Sequence, residues 1–445
     1  MKILFVHQNF PGQFLHIVRH LVQMKHHEIA FITEPNVNVI AGVHKVPYAK
    51  PAAGHAEVHL AARELDGAVR RADAVARTAT NLKRLGFDAD IVIGHHGWGE
   101  LLNLPEVWPN APVLGYLEFY YNTHGVDVGF DPEFPNDPAD YPRIRAKNAI
   151  NHIALNLGAH GQSPTEWQRS TYPAWARDQI NLVWEGVNLD VCAPDESLRR
   201  AAFKIGDMTI RAGDKLVTYV SRDLEPYRGF HAMMRALPHL LKARKDIKVV
   251  MVGGDGISYG ALPTDAPNWR EKMLRELGSS IDPKRVVFPG RVDYQTYLKL
   301  LKRSDAHVYL TYPFVASWSL RESLAAGCAV VGSDTQPVQE FITHEENGLL
   351  APFFDSKGIA NSVLRVLEDK ALSDRLRHAA RAYAEARLSM QDYLKSYEAL
   401  IERLTGKPIG EPESKPAPRR RATSAAAPQP AAGAVRARRT ARQPG

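Results

Sequence analysis

The chain has 445 residues, 44% of them hydrophobic, which is enough for two or three domains that each bury a sizeable core. Its two distant cysteines exclude a disulfide framework, and its apolar runs are shorter than the roughly 18 residues of a spanning helix or the core of a signal peptide, so we expect a cytoplasmic protein. The formal net charge is +7, and residues 406–445 carry all of it with nine Lys or Arg and two Glu, so the neutral remainder argues against specific nucleic-acid binding.

Short apolar runs separated by helix-like stretches make up the first half of the chain. The first run is Lys2–Val6, and a loop with Pro11-Gly12-Gln13 and a helical pattern to Met24 follow it. Further runs lie at 29–32, 91–93 and 113–117. This alternation predicts βαβ units and a parallel sheet that helices cover on both faces.

The same alternation starts afresh at Lys215–Val220 and continues with runs at 247–252, 285–288, 306–310 and 329–331. The sequence therefore predicts an α/β fold of two Rossmann-like doubly wound domains, at 1–190 and 191–388, which face a central cleft. A last helix at 389–404 is expected to brace the first domain. Because ligands bind outside the carboxyl ends of parallel strands, we expect the site in the cleft.

Two arginines, Arg222 and Arg228, flank the loop after the strand that starts at Lys215. When a nucleotide diphosphate leaves its sugar, negative charge builds up on the β-phosphate, and without a metal fixed cations must stabilise it. We predict this catalytic role for both arginines. The alternative is that they are surface side chains paired with Asp223 and Glu225.

A second candidate site lies at the start of a helix predicted from about Ser319. The free backbone N–H groups of Ser319, Leu320 and Arg321 are expected to bind the diphosphate, helped by the helix dipole. Glu322 is expected to accept hydrogen bonds from the ribose hydroxyls. The alternative to this ribose contact is that Glu322 is simply an acid in the first turn of the helix, where the helix dipole favours a negative charge.

Metal and cofactor motifs are weak in this sequence. Asp88-Ala-Asp90 has the spelling of a metal-binding D-x-D motif, but it precedes its strand, which puts the carboxylates at the wrong end of the sheet. The glycine-rich loops spell neither G-x-G-x-x-G after a first strand nor a Walker A motif. We therefore expect no bound metal and no cofactor.

Together and in this order, the segments from Met1 to about Leu404 resemble the retaining glycosyltransferases of family 4. The match rests on several ordered motifs, which are more specific than any one of them. They are Pro11-Gly12-Gln13, Glu185-Gly186-Val187-Asn188, Ser221-Arg222 through Arg228-Gly229, Gly253-Gly254-Asp255-Gly256, Phe288-Pro289-Gly290-Arg291-Val292 and Glu322–Val331.

The resemblance implies a GT-B fold and a metal-independent hexosyltransferase of the kind used in polysaccharide biosynthesis. Such an enzyme moves a sugar from a UDP- or GDP-sugar donor to a glycan, lipid-linked or small-molecule acceptor, with retention of anomeric configuration. The resemblance also implies that the nucleotide base lies beside Arg291 and Val292. The Gly12 loop would close from the first domain. Two alternatives stay open: a nucleotide-sugar epimerase on the same fold, and a non-catalytic nucleotide-sugar-binding or scaffold protein.

Two positions depart from the pattern of the family. Phe314 stands where the family has the first of two glutamates, the one usually placed against the transferred sugar. Glu118 stands just after the run 113–117, where many members carry His, and we predict that it contacts a donor hydroxyl or stabilises positive charge at the anomeric carbon. The alternative is a buried acid paired with an Arg. Of His95 and His96, at most one is expected to face the acceptor.

The last segment, residues 406–445, is rich in Pro, Ala and Arg and nearly devoid of large apolar residues. Such a composition cannot bury enough surface to offset the entropy of ordering, so it predicts a disordered tail. The tail is expected either to be passive and solvated or to act as an electrostatic tether to anionic lipid or nucleic acid. Contact with an anionic membrane would make the protein membrane-peripheral.

Overall fold

The computed structural model describes residues 1–52, 54 and 57–410, and within Met1–Ile409, which form one compact unit, it contains two parallel sheets. The first sheet has seven strands. They are β1 (Lys2–Val6), β2 (Glu28–Thr33), β3 (Val43–Pro47), β4 (Ile91–His95), β5 (Val113–Tyr116), β6 (His160–Ser163) and β7 (Ile180–Leu182). Every neighbouring pair is parallel, in the order β3-β2-β1-β4-β5-β6-β7.

Helices cover both faces of this sheet, and we call the sheet and these helices the first lobe. They are α1 (Leu15–Gln23), α2 (Arg63–Arg84), α3 (Leu104–Val107), α4 (Tyr141–Lys147), α5 (Ala149–Asn156), α6 (Glu166–Ser170) and α7 (Ala174–Arg177). In β1, Ile3 and Phe5 pack in the same apolar cluster as α1, whereas Leu4 and Val6 pack with α2. This alternation explains why β1 is apolar throughout, because successive side chains of a strand point to opposite faces.

The second sheet has six strands, in the order β12-β11-β10-β13-β14-β15, and all of its pairs are parallel. Together with its helices it forms the second lobe. Its strands are β10 (Lys215–Asp223), β11 (Ile247–Gly254), β12 (Val286–Gly290), β13 (Ala306–Tyr309), β14 (Val330–Ser333) and β15 (Leu349–Ala351). A short antiparallel hairpin, β8 (Phe203–Ile205) with β9 (Met208–Ile210), precedes it.

Eight α-helices follow β10 in the described part of the chain. They are α8 (Phe230–Ala243), α9 (Trp269–Leu277), α10 (Tyr294–Arg303), α11 (Trp318–Ala325), α12 (Gln336–Gln339), α13 (Ser356–Glu368), α14 (Lys370–Arg387) and α15 (Met390–Thr405). Within the described ranges, none of the helices combines the length and the apolar character that crossing a bilayer requires. The prediction of two doubly wound α/β halves is confirmed, whereas the exact division at residue 190 stays a prediction.

Both sheets have a switch point, where consecutive connections leave adjacent strands in opposite directions. In the first lobe it lies between β1 and β4, and in the second lobe between β10 and β13. The loops at the carboxyl ends of these strands diverge and leave a crevice, which is where ligands of open α/β sheets bind. The loops after β1, β4, β10 and β13 therefore position the candidate site.

The last helix, α15, packs against the first lobe. Its Tyr397 and Ile401 lie in the same buried cluster as Phe5 of β1. The segment after it is also packed, because Ile409 is buried and its carbonyl oxygen accepts from Nε2 of His26 at 2.7 Å. The start of the disordered tail at residue 406 was therefore predicted too early, and the rest of that prediction, residues 411–445, lies outside the described residues.

Candidate active site

A cleft with a volume of about 1660 Å³ opens between the carboxyl ends of the two sheets. Most of the predicted site residues line it: Gly12, Glu118, Arg222, Arg228, Arg291, Val292, Ser319 and Glu322. Leu320 and Arg321 are the exceptions, because both are completely buried. The structure thus brings together residues as far apart in the sequence as Gly12 and Glu322.

Arg228 ends a short 3₁₀ turn after β10 and is 7% exposed. Its Nη1 donates to Thr311 Oγ1 at 3.0 Å and to the carbonyl oxygen of Val315 at 2.7 Å, and the guanidinium lies 4.9 Å from the centre of the Tyr259 ring. The turn requires Gly229, whose φ is +70° and where a Cβ would approach the Leu310 side chain to 2.3 Å. These contacts fix a permanent positive charge on the cleft wall.

Arg222 lies at the end of β10 with an exposed side chain. Asp223 and Glu225, the partners in the alternative interpretation, accept hydrogen bonds from other groups, and the catalytic role of the two arginines stays a prediction. Asp223 accepts from Arg291 Nη2 at 2.7 Å and from Ser258 Oγ at 2.6 Å. Glu225 is fully buried and accepts from three consecutive backbone amides, those of residues 258–260, at 3.0 to 3.2 Å. The two acids therefore hold the loop after β11 beside the cleft.

The amino terminus of α11 differs from its prediction by one residue. The helix begins at Trp318, so Ser317 is its N-cap, and the amide of Ser317 already donates to Tyr309 Oη at 2.8 Å. The amide of Leu320 donates to the Ser317 carbonyl oxygen at 3.2 Å. The prediction that Leu320 offers a free amide is therefore wrong, whereas the diphosphate contacts predicted for the amides of Ser319 and Arg321 stay predictions.

The Arg321 side chain has a structural position. It lies 3.6 Å from Glu185 Oε2, donates to the Ala316 carbonyl oxygen at 3.3 Å and lies over the Phe341 ring. Glu185 also accepts from Trp318 Nε1 at 2.7 Å. Arg321 thus links α11 to the chain that leaves the first sheet.

Glu322 is held by two tyrosines of α10. Its Oε1 accepts from Tyr294 Oη at 2.7 Å, and its Oε2 accepts from Tyr297 Oη at 2.8 Å. Burial raises the pKa of Glu322 above its usual range, and the tyrosine hydrogen bonds partly offset this. Because a carboxylate has four lone-pair sites, each oxygen keeps capacity for a further donor from the cleft.

Arg291 and Val292 follow β12 at the second-lobe end of the cleft. The Arg291 side chain is 67% exposed, and its ion pair with Asp223 holds it against the loop after β10. That these two residues contact the nucleotide base stays a prediction.

Gly12 lies on the first-lobe loop after β1. Its φ is +55°, and a Cβ there would lie 2.9 Å from His7 Nδ1, so the loop passes directly over the His7 ring. Burial and the neighbouring His95 lower the pKa of His7 to about 4, although a hydrogen bond to Asn9 opposes this. His7 is therefore neutral at neutral pH.

Glu118, which follows β5, contacts His95 across the first-lobe wall. Its Oε2 lies 3.6 Å from His95 Nε2, and its side chain is 39% exposed. Burial acts to raise the pKa of Glu118, but His95, Arg228 and His7 outweigh it and lower the pKa below its usual range. The alternative of an acid paired with an Arg is therefore replaced by a pair with His95. Of the two histidines, His95 lines the cleft, and His96 faces a separate cavity of about 300 Å³.

The segment after Glu118, which we call the crossing segment (residues 126–134), was missed by sequence reasoning. It leaves the first lobe and packs on the second, where Asp127 Oδ2 accepts from Tyr227 Oη at 2.9 Å. Asp131 accepts from Tyr312 Oη and lies 2.9 Å from His231 Nε2. These contacts join residues about 100 to 180 positions apart, so no local pattern signals them.

Phe314, in place of the acid of the family, belongs to an aromatic wall. It is buried, and its ring centre lies 4.8 Å from that of Phe119 and 4.9 Å from that of Tyr259. Tyr227 packs edge-on against it at 5.6 Å. This position of the cleft is apolar, so any carboxylate that contacts the sugar must come from another residue.

Among the described residues, Asp131, Glu133 and His231 have the spacing of a cation site, with ligand atoms within 4.8 Å of one another. Their groups are already engaged, because Glu133 pairs with Arg235 and Asp131 accepts from Tyr312. In the D-x-D motif, Asp90 accepts from the backbone amide of Lys2 at 2.7 Å, at the start of β1 and away from the cleft. That the protein uses no metal stays a prediction.

Comparisons with known proteins give two family matches. A family model described as glycosyl transferase family 4 group matches residues 25–192, and one described as glycosyl transferases group 1 matches residues 203–383. The first match covers most of the first sheet, and the second covers the whole second sheet.

Curated relatives match over part of the chain. A phosphatidyl-myo-inositol mannosyltransferase of Mycolicibacterium smegmatis is 29% identical over 184 residues, which are 40% of this chain and 42% of the relative. A glycogen synthase of Mycobacterium tuberculosis is 29% identical over 171 residues, which are 38% of each chain. The matches thus span less than half the length of these relatives.

Solved structures match over nearly the whole described chain. Sucrose-phosphate synthase from Thermosynechococcus elongatus has a TM-score of 0.66 at 16% identity, and the match covers 91% of this chain and 99% of the other. The Anabaena HepE protein in complex with UDP-glucose has a TM-score of 0.63 at 16% identity, covering 91% and 100%. At such low identity these likenesses show a shared fold.

Proposed function

The chain belongs to the family 4 group of glycosyltransferases, and from this premise we propose that it transfers a hexosyl group from a UDP- or GDP-sugar to an acceptor. The acceptor is a glycan, a lipid-linked sugar or a small molecule, and the reaction retains the anomeric configuration and needs no metal. The relatives support this range, since they include an inositol-lipid mannosyltransferase, a glycogen synthase and a protein solved with UDP-glucose.

The observation that carries the proposal is the buried Arg228 on the cleft wall. A guanidinium has five N–H donors, and the two on Nη1 fix it to Thr311 and Val315. Burial acts to lower its pKa, but neighbouring tyrosines and Glu225 outweigh this and raise the pKa, so the group stays charged. A desolvated charge of this kind stabilises an anion far better than one in water, and a diphosphate supplies the matching charge.

In the proposed reaction, the bond between the anomeric carbon and the β-phosphate oxygen breaks, and its electron pair leaves with the nucleotide diphosphate. Arg222 and Arg228 stabilise the new charge on the phosphate. The acceptor oxygen forms its bond to the anomeric carbon on the same face from which the phosphate departs. Its proton passes to the departing phosphate oxygen. Glu118, which His95 holds ionised, stabilises positive charge that builds up at the anomeric carbon.

The nucleotide is assigned to the second lobe. Glu322 accepts from the ribose hydroxyls while Tyr294 and Tyr297 fix its two oxygens. The backbone of Trp318 and Ser319 faces the diphosphate at the start of α11, where the helix dipole favours an anion. The nucleotide base is proposed to lie beside Arg291 and Val292, which line the same cleft as Gly12 of the first lobe.

The test is transfer from UDP-glucose and GDP-mannose to glycan and lipid acceptors in EDTA, with the product anomer read by NMR. We expect turnover that chelation leaves unchanged and a retained anomer. Arg222→Ala should lose most of kcat, whereas Arg365→Ala, a surface arginine paired with Glu345, should match the wild type. Activity that disappears in EDTA and returns with manganese would refute the metal-free scheme, and an inverted anomer would refute retention.

A non-catalytic nucleotide-sugar-binding protein is the second candidate, and Phe314 favours it because a carboxylate expected at the sugar is absent there. The same assay separates the two. Sugar-nucleotide binding without transfer to any acceptor would support the binding protein. A rearranged sugar formed without acceptor would support an epimerase instead.

The cytoplasmic location and the membrane contact of the tail stay predictions from the sequence. The basic residues of the tail fall within 411–445, apart from Lys407, which pairs with Asp90. Deletion of 411–445 is expected to abolish binding to anionic vesicles without affecting sugar transfer.

A further inference from the structure

A buried carboxylate in the cleft has no part in the scheme above. Asp127, on the crossing segment, is 5% exposed and lines the cleft. Its Oδ2 accepts from Tyr227 Oη at 2.9 Å, and its Oδ1 is buried and has no hydrogen-bond partner of good geometry among the described residues. Burial raises the pKa of Asp127, and the Tyr227 hydroxyl and the nearby backbone amides of Asp127 and Val128 oppose this. An unsatisfied buried carboxylate oxygen costs free energy, so a donor from a ligand would relieve it.

The walls around Asp127 have the chemistry of a sugar site. Tyr227 and Tyr259 lie side by side in the cleft with ring centres 6.2 Å apart, and Tyr121 lines it as well. A hexose has apolar C–H faces that pack on aromatic rings and hydroxyl groups that donate to carboxylates. An aromatic wall with one free carboxylate oxygen therefore fits a hexose better than a phosphate, which a carboxylate repels.

The position of these tyrosines relative to the diphosphate indicates that the sugar they bind is the transferred hexose of the donor. Tyr227 directly precedes Arg228 in the chain, and the Arg228 guanidinium lies over Tyr259 at 4.9 Å. A sugar attached to a β-phosphate on Arg228 would therefore lie close to Tyr259, and the Tyr227 ring lies next to it with ring centres 6.2 Å apart. Asp127 is one tyrosine side chain further on.

We propose that Asp127, with Tyr227 and Tyr259, forms the subsite for the transferred hexose, and that Asp127 Oδ1 accepts a hydrogen bond from one of its hydroxyls. The inference rests on the proposed function and adds the residue that selects the sugar. The acid comes from the first lobe across the cleft, and Phe314 of the second lobe supplies only apolar surface. Sugar recognition then requires the crossing segment to be docked on the second lobe.

Calorimetry in EDTA tests this subsite, with UDP against UDP-glucose and GDP against GDP-mannose as probes. In Asp127→Asn and Asp127→Ala we expect diphosphate affinity within about twofold of the wild type and sugar-nucleotide affinity about tenfold lower or more. Tyr227→Phe, which keeps the ring but removes the donor to Asp127, should show a smaller loss of the same kind. Asp374→Asn, on a helix outside the cleft and paired with Lys370, is the control and should match the wild type.

Thermal unfolding of each variant separates recognition from a structural role. Equal weakening of diphosphate and sugar nucleotide with a lower Tm would show that Asp127 only docks the crossing segment, and it would overturn the inference. Unchanged affinity for both ligands and unchanged kcat/KM would overturn it as well. A wild-type chain that binds no nucleotide at all would instead refute the proposed function itself.

Discussion

Replacement of Arg228 is the most direct perturbation of the proposed diphosphate site. The guanidinium is 7% exposed, and its Nη1 is fixed to Thr311 and to the Val315 carbonyl oxygen. Because it does not need to reorganise when charge builds up on the leaving phosphate, its effect falls mainly on the transition state.

The size of the effect follows from this geometry. Removing one preorganised donor to a developing oxyanion costs about 10² to 10³ in kcat, so we expect this loss for Arg228→Ala. The variant also leaves the Val315 carbonyl oxygen without its donor, which costs about 1 to 3 kcal/mol of stability. Arg228→Lys keeps the charge but not the fork of donors, so it should lose about tenfold in kcat.

The assay is steady-state transfer from the preferred donor, with the free energy of unfolding measured in parallel. Arg365→Ala is the matched control, because it removes an exposed guanidinium from a surface ion pair. If Arg228→Ala is folded and keeps kcat within about threefold of the wild type, the reasoning about the phosphate is refuted. A loss that appears only in KM would show ground-state binding without transition-state stabilisation.

Three further predictions concern other parts of the cleft and its supports. Glu322→Gln should weaken UDP binding about tenfold and 2′-deoxy-UDP binding by less, because the deoxyribose keeps only its 3′-hydroxyl for Glu322; equal losses for both nucleotides would exclude a contact with the 2′-hydroxyl. Gly12→Ala should lower activity and the thermal midpoint, because its φ is +55° and its Cβ would lie 2.9 Å from His7; a wild-type midpoint would contradict this. Burial raises the pKa of Glu100 from 4.5 to about 7, so the folded chain keeps a proton that the unfolded chain releases, and stability should fall by up to about 3 kcal/mol as pH rises from 4.5 to 7. Glu100→Gln should remove this slope in urea unfolding, and an unchanged slope would show that another group causes it.

The GT-B fold was predictable from the sequence because its central strands are buried on both faces. Lys2–Val6 and Lys215–Val220 read as continuous apolar runs for this reason, and they form β1 and most of β10. The edge region of the first sheet was not predictable in the same way. The strand β6, His160–Ser163, has hardly any apolar side chain and gives no signal.

The candidate site was predictable where strand ends dictate it and not where distant segments meet. The positions of Arg228 and Glu322 in the cleft were predictable because each residue follows a strand at a switch point. The start of α11 was placed one residue late, since Ser317 and Ser319 are equally good N-cap residues. Asp127 was missed because its partner Tyr227 is 100 positions away, and a single apolar residue, Ile409, was too weak a signal to delay the predicted start of the tail.

The proposed function depends on a cleft that holds the diphosphate of a sugar nucleotide on fixed protein charges. Calorimetry of UDP and GDP binding in EDTA, with the wild type and the Arg222→Ala, Arg228→Ala double variant, tests it most directly. We expect one site per chain in the wild type for at least one of the two nucleotides, and at least a hundredfold weaker binding in a folded double variant. Binding of neither nucleotide, or equal binding by wild type and variant, would contradict it.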